Sequence, residues 1–251
     1  MSCGAAAGPR VAAFFDIDGT LLEAPSLERR FFGELRRNGW IPVGNYLSWA
    51  ARAAWLLPRG ISAITHGNKK YLRGISVDAA VRHFVAPAFY DQGVARAAWH
   101  AEHGHAIMLV SGTIEPLARL TGLALECELE ARGVVCRIVV RATLLEAVLG
   151  YWTGQICGEA VVGEAKRRAV VKFAREGAME LRECYAYGNS LADGAMLSAV
   201  GKPHAVNPGR EFARLARLLQ WPICEWRDRK DSELKQIHDR SEEAQRIETT
   251  V

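Results

Sequence analysis

The sequence is short of most features that would place it in a specialised class. Its cysteines, Cys3, Cys127, Cys136, Cys157, Cys184 and Cys224, form no CxxC pair and no Cys/His cluster. That argues against a zinc module or a compact disulfide framework and fits reduced thiols in a cytoplasmic protein. No apolar run approaches the ~20 residues needed to span a bilayer, and Met1–Arg10 has no positive region ahead of an apolar stretch, so it does not read as a secretory signal. There is no internal repeat. There is also no Lys/Arg block: 32 basic residues are dispersed among 28 acidic ones, for a formal charge of +4. A balance that mild suits an anionic small molecule and gives no reason to expect nucleic acid.

What remains is ordinary globular composition, 49% hydrophobic and 24% charged over 251 residues, enough for one large domain or two modest ones. Short apolar runs recur, each ending in a polar motif. Val11-Ala-Ala-Phe-Phe15 runs into Asp16-Ile-Asp-Gly-Thr20, Ala106–Val110 into Ser111-Gly-Thr113, and Cys184–Tyr187 into Gly188-Asn-Ser190. His204–Val206 is a fourth candidate strand. Helical stretches lie at about 114–122, 164–177, 191–200 and 210–220. Alternating strands and helices predict an α/β fold with a parallel sheet, whose chemistry sits at the carboxyl ends of the strands.

Residues 21–105 break the alternation. Segments 26–38, 44–57, 62–73, 77–86 and 91–103 have helical character, punctuated by Pro42, Pro58 and Pro87. They read as a helical cap inserted after the first strand. Residues 124–162 read as a small β-hairpin excursion, from β-branched Val134–Val140 and from Gly150–Gly154. The charged tail, 227–251, reads as a solvated helix or a disordered segment.

Alternate residues of an extended strand end point the same way, so Asp16 and Asp18 should crowd one spot, at a cost that a cation or a shared proton would relieve. Ser111 offers a hydroxyl beside Gly112, whose backbone can approach a ligand. Thr113 and Pro116 open a helix whose free N–H groups favour phosphate. Lys166 adds a point charge, and Asp193 follows the third strand end.

In their order and spacing these motifs resemble the haloacid-dehalogenase-like superfamily. Asp16-x-Asp18-Gly-Thr20 looks like its first motif, Ser111-Gly-Thr113 its second, Lys166 its third and Gly188-Asn-Ser-x-x-Asp193 its fourth. Thr153-Gly154, Gly163–Lys166, Val206-Asn-Pro208 and Trp221-Pro222 resemble its phosphoserine-phosphatase-like branch. The resemblance implies a Rossmann-like core, 1–20 and 106–226, with the C1 helical cap at 21–105. It implies a Mg²⁺-dependent phosphatase acting on a small phosphomonoester. Asp16 would be the nucleophile and Asp18 the general acid–base. Ser111, Gly112, Thr113 and Lys166 would bind phosphate, with Lys166 also catalytic. Asp16, Asp18, Asn189 and Asp193 would hold the metal.

Asn189 departs from the family's usual Asp, which leaves a weak, phospholigand-binding relative as an alternative to an active enzyme. Pro25 stands where the phosphoserine enzymes carry a glutamate, with Glu23 and Glu28 flanking it, so phosphoserine phosphatase is an alternative rather than the leading reading. Arg73 lies where a substrate arginine can occur, though a surface helix arginine fits equally. Trp40, Trp49, Trp55 and Trp99, with Tyr46, Trp49, Ala50, Ala53 and Leu57 on one helical face, fit core packing inside the cap. The alternative is an apolar pocket or membrane-surface contact for a lipid-like phosphate; no membrane partner is otherwise expected. His66, His83, His100, His103 and His105 lack ligand spacing; His100, His103 and His105 cluster near the second strand and read as a solvated loop rather than a metal site.

Overall fold

The computed structural model describes residues 10–82, 84 and 88–226. The readings of Met1–Pro9, Cys3, His83, Pro87 and the 227–251 tail lie outside these residues. The strands in chain order are β1 (Ala12–Phe15), β2 (Ala106–Ile114), β3 (Ile138–Thr143), β4 (Leu145–Val148), β5 (Tyr151–Ile156), β6 (Tyr185–Gly188), β7 (Lys202–Val206) and β8 (Ile223–Cys224). The helices are α1 (Leu27–Arg37), α2 (Val43–Leu56), α3 (Ile61–Gly67), α4 (Val77–Arg82), α5 (Asp91–Glu102), α6 (Glu115–Glu130), α7 (Glu164–Glu176), α8 (Gly194–Leu197) and α9 (Arg210–Leu218).

Six strands form a parallel sheet in the order β3-β2-β1-β6-β7-β8. β1 is wholly buried at its centre, as a continuous apolar strand covered on both faces should be. Its side chains alternate between two cores. Ala13 and Phe15, with Ile107, Leu109 and Tyr187, face the layer that holds Val94 and Ala97 of α5 and Leu117 and Ala118 of α6. Ala12 and Phe14, with Met108, Val110 and Ala186, face Val170 of α7, Met196 and Leu197 of α8 and Phe212 of α9. Phe14 meets Phe173 edge to face at 6.1 Å.

Two local expectations need correction. β2 does not stop at Val110. It continues through Ser111-Gly-Thr113 to Ile114 with a register shift, because the Thr143 hydroxyl donates to the Gly112 carbonyl (2.8 Å) and takes over part of the pairing. The β-branched segment ends as β3, an outer strand of the main sheet, whereas the hairpin is β4–β5. Its two-residue turn, Leu149 and Gly150, has both φ values positive (51° and 81°), the geometry that matches strand twist in tight hairpins.

Between β1 and α5 lie α1–α4. The chain leaves and re-enters the sheet side by side: Tyr90 N–H donates to the Leu21 carbonyl (2.9 Å), and Leu22 pairs with Phe89. α1 buries Leu27, Phe31 and Leu35, and Phe31 meets Phe84 and Trp152 edge to face. The β4–β5 hairpin supports this helical group from behind, Gly74 N–H donating to the Trp152 carbonyl and Trp152 N–H to that of Ile75. The predicted helix 62–73 is two pieces, α3 and a 3-10 turn at Lys70–Leu72, separated at Asn68 and Lys69. The sequence boundary at residue 105 encloses α5, which packs against β2 and α6. Trp49 and Trp55 are exposed, so core packing does not account for them.

Candidate active site

Asp16 ends β1 and its N–H donates to the Tyr187 carbonyl of β6, which seats it at the middle of the sheet. The loop that follows turns on the Ile17 carbonyl, which accepts from Thr20, Leu21 and Leu22. Gly19 is required twice over. Its φ is +80°, and a Cβ there would lie 2.0 Å from the Asn189 side-chain amide. That contact brings the first and fourth motifs together. Gly188 serves the same purpose, since a Cβ on it would lie 2.5 Å from that of Asp193.

Lys166, in the first turn of α7, joins the buried carboxylates. Its Nζ lies 2.5 Å from Asp16 Oδ1 and 2.6 Å from Asp193 Oδ1. Asp16 Oδ2 accepts from the Thr20 hydroxyl (3.0 Å). Asp193 Oδ2 accepts from the N–H groups of Asn189 and Ser190 and from the Ser190 hydroxyl, a reciprocal capping box. Gly163 N–H donates to the Ala192 carbonyl and fixes α7 to this loop. Lys166, Asp16 and Asp193 are all buried.

Burial, then the Asp193 carboxylate, push Asp16 up to about 7, and Lys166 opposes them. Burial alone would lower Lys166, but Asp16 and Asp193 raise it well above its ordinary value, so it stays charged. The group that crowds Asp16 is therefore Asp193; Asp18 is the weakest of its neighbours. Asp18 has turned aside. Its Oδ1 accepts the Leu27 N–H (2.7 Å) at the start of α1, and burial raises it to about 6 despite that bond. The sequence reading of two carboxylates on one spot gives way here because the first turn of α1 supplies an N–H donor for Asp18.

Ser111, Gly112 and Thr113 lie in the bulged end of β2. Ser111 Oγ accepts the Thr113 N–H (3.2 Å), and Thr113 Oγ1 is buried with no hydrogen-bond partner among the described residues, a polar atom that an incoming oxygen would satisfy. A Cβ on Gly112 would stand 2.8 Å from Val162 and 3.2 Å from His66 Nδ1. His66, on α3, thus reaches down to this strand end. Burial and then Lys69 and Lys166 lower it to about 4, so it is neutral.

A cavity of about 640 Å³ opens among α1, α2 and α3, lined by Glu28, Phe32, Tyr46, Trp49, Ile64 and Lys69 among others. Lys69 Nζ is buried against Glu28 Oε2 (2.5 Å). Glu28 Oε1 is also buried and accepts no hydrogen bond among the described residues. Glu28 and Lys69 both act on the Asp18 charge, which places this end of the cavity beside Asp18. Arg73 is elsewhere. It is exposed, its carbonyl accepts from Asn45, and its Cβ lies against Gly154; none of the contacts that join the site involves it.

The oxygen donors suit a hard divalent cation: Asp16, the Asn189 amide, backbone carbonyls of the Asp16–Thr20 loop and the edge of Asp193. No group of three His, Cys, Asp or Glu side chains among the described residues could hold a metal by itself, so amide, carbonyl and phosphate oxygens would have to complete the set. Asp193 is largely committed to Lys166 and the capping box.

Sequence reasoning singled out neither His66 nor Lys69 as a site residue, and Glu28 entered only as a neighbour of Pro25, where the phosphoserine enzymes carry a glutamate. A buried lysine in an apolar helical stretch is a weak signal, and nothing in the spacing ties Glu28 to Lys69. Thr20 stood inside the first motif but had no assigned role.

A family model described as haloacid dehalogenase-like hydrolase matches residues 13–198. Among curated relatives, a Streptomyces azureus protein named for inhibition of morphological differentiation is 30% identical, over 87% of this chain and 79% of its own. A Mycobacterium tuberculosis protein named phosphoserine phosphatase SerB1 is 29% identical, over 86% of this chain and 71% of its own. Two solved structures share the fold. A Bordetella pertussis protein of unknown function has a TM-score of 0.66 at 23% identity, covering 86% of this chain and 98% of that one. A phosphoserine phosphatase in its apo form has a TM-score of 0.56 at 16% identity, covering 90% and 98%.

Proposed function

The chain belongs to the haloacid dehalogenase-like hydrolases and is a phosphatase; on that premise we propose that it is a cytoplasmic, Mg²⁺-dependent phosphomonoesterase working through an aspartyl-phosphate on Asp16. The observation that carries the reading is the junction of Asp16 with Lys166 and Asp193, together with a buried Thr113 hydroxyl that has no partner among the described residues.

Asp16 Oδ2 attacks phosphorus, an O–P bond forms, and the ester oxygen leaves with the proton of Asp18. Asp18, now ionised, takes a proton from water. That water attacks phosphorus, releases phosphate and restores the Asp16 carboxylate. A carboxyl raised to about 6 is suited to both duties near neutral pH. Lys166, Ser111 and the N–H groups around Gly112 and Thr113 hold the phosphoryl oxygens, whose charge they offset. Asp16, the Asp18 backbone carbonyl, Asn189 and Asp193 would hold Mg²⁺, which when bound supplies further charge neutralisation. With Asp193 drawn toward Lys166, Asn189 carries a larger share, through an uncharged oxygen.

The cavity above Asp18 receives the leaving group, a small phosphorylated metabolite or a lipid-like phosphate whose apolar part meets Phe32, Tyr46, Trp49 and Ile64. Arg73 keeps at most a peripheral part in binding it. A second reading, phosphoserine phosphatase, is favoured by Glu28 Oε1: a buried acceptor with no donor among the described residues would suit an ammonium group.

The test is phosphate release from p-nitrophenyl phosphate, with Mg²⁺ and with chelator. Turnover should require Mg²⁺, fall about 10⁴-fold or more in Asp16→Asn, and leave the unfolding transition of the variant intact. Turnover retained in Asp16→Asn would overturn the nucleophile. No turnover with tight orthovanadate binding would make the chain a phospholigand-binding relative.

A further inference from the structure

α2 does not behave like a helix of a water-soluble cap. Its sequence, Val43-Gly-Asn-Tyr-Leu-Ser-Trp-Ala-Ala-Arg-Ala-Ala-Trp-Leu56, carries one charge. A helix that apolar is ordinarily buried on most sides. Here only Asn45 and Leu56 are buried, and Asn45 is there to satisfy the carbonyls of Tyr71 and Arg73. The opposite side presents Val43 (79% exposed), Leu47 and Trp55, and the chain that follows adds Leu57 and Ile61 (77%), each more than half exposed. α1, by contrast, buries its apolar stripe and turns Arg29, Glu34, Arg36 and Arg37 outward.

The charge that this stretch of chain carries has one sign. From Glu34 to Asp78 the chain has no acidic residue. The guanidinium groups of Arg52 and Arg59 both sit over the Trp55 ring, each 4.1 Å from its centre. Aliphatic side chains, a tryptophan whose ring has an apolar body and a polar edge, and flanking arginines are the composition of helices that lie in the headgroup region of an anionic bilayer. No helix among the described residues is long and apolar enough to cross a membrane, so contact would be at the surface. A second copy of the chain is the poorer occupant, because a two-fold interface here would bring Arg52 and Arg59 against their own copies.

We infer that the exposed face of α2 and the turn leading into α3 docks on anionic lipid surfaces. Tyr46 and Trp49 of the same helix line the cavity, so one helix carries both the docking face and part of the cavity wall. Docking stands on surface chemistry alone and does not require the catalytic reading.

The test is co-sedimentation of the full chain with extruded vesicles of phosphatidylcholine alone or mixed with phosphatidylglycerol. The chain should sediment with the anionic vesicles and stay soluble with the neutral ones. Arg52→Ala/Arg59→Ala should lower the partition coefficient about thirtyfold, and Leu47→Ser/Ile61→Ser by at least about tenfold. Hydrolysis of p-nitrophenyl phosphate should be unchanged in both variants. If the wild-type chain remains in the supernatant with both vesicle types, the proposal fails. It also fails if neither variant lowers binding, or if the wild type is a dimer in solution that Leu47→Ser/Ile61→Ser converts to monomer.

Discussion

The sheet end and the helical insertion above it solve opposite problems. At the sheet end three charged groups, Asp16, Lys166 and Asp193, are buried; Lys166 ties the two distant carboxylates together, and each carboxylate also accepts from donors in its own loop. In the insertion, the apolar side chains Val43, Leu47 and Trp55 of α2 are left in solvent. The first arrangement sacrifices stability to preorganise charge; the second leaves surface free to meet something else. Asp18 belongs to both, because its carboxylate is on the core loop and its hydrogen bond is to the first turn of α1.

The largest effect that would break this contrast is at Lys166. Lys166→Met removes the only ammonium bonded to Asp16 and Asp193 among the described residues and leaves two buried carboxylates facing each other. We expect about 3–5 kcal/mol of lost stability in urea unfolding at neutral pH, together with a fall in kcat of about 10²–10³. Much of the stability should return in acid, where one carboxylate takes up a proton. A variant as stable as the wild type at neutral pH would mean that the buried network is not as tight as its distances imply.

Asp18 probes the shared element. Asp18→Asn should slow alkyl phosphates about a hundredfold more than p-nitrophenyl phosphate, whose leaving group needs little protonation. An equal loss for both substrates would assign Asp18 to positioning the insertion instead.

The sheet interior offers a pH test. His100, which the sequence places in a solvated loop, is instead fully buried in the last turn of α5, bonded to the Tyr187 hydroxyl and to His105. Burial, then His105 and Arg96, lower it to about 3, and burial and Arg96 lower His204, which stacks on Tyr187, to about 4. The unfolded chain binds these protons below its ordinary histidine value of 6.5 while the folded chain does not, so stability falls as pH drops from 6.5 toward 3. For His100 alone the loss by pH 5 should be about 2 kcal/mol. His100→Gln should flatten that slope when unfolding is compared at pH 7 and pH 5; an unchanged slope would show that another group carries it.

The smallest effect is predicted for the insertion. Leu47→Ser should change stability by no more than about 0.5 kcal/mol, measured by the same unfolding assay, because Leu47 is already in water. A loss several times larger would mean that something covers α2.

Much of this is legible in the sequence. A buried parallel strand has to be apolar throughout, so Val11–Phe15, Ala106–Val110 and Cys184–Tyr187 declared themselves. Their carboxyl ends carry polar residues that a packed interior would not otherwise accept, among them Asp16 and Ser111-Gly-Thr113, whereas the roles of Lys166, Asn189 and Asp193 came from the resemblance of the four motifs to a known family. Gly19 and Gly188 were visible too, but not their reason, which is the room they leave for Asn189 and Asp193. Tertiary structure alone decided the rest. Periodicity says that a helix has an apolar side and not which layer receives it, so α5 was drawn with the cap and Trp49 and Trp55 with a core. Which carboxylate presses on Asp16 depends on residues far apart in the chain, and the answer was Asp193. The pairing of Lys69 with Glu28, the descent of His66 to Gly112 and the exposure of α2 likewise follow from how the insertion packs. Such contacts join side chains that have no fixed spacing in sequence, and no local rule of propensity or pattern encodes them.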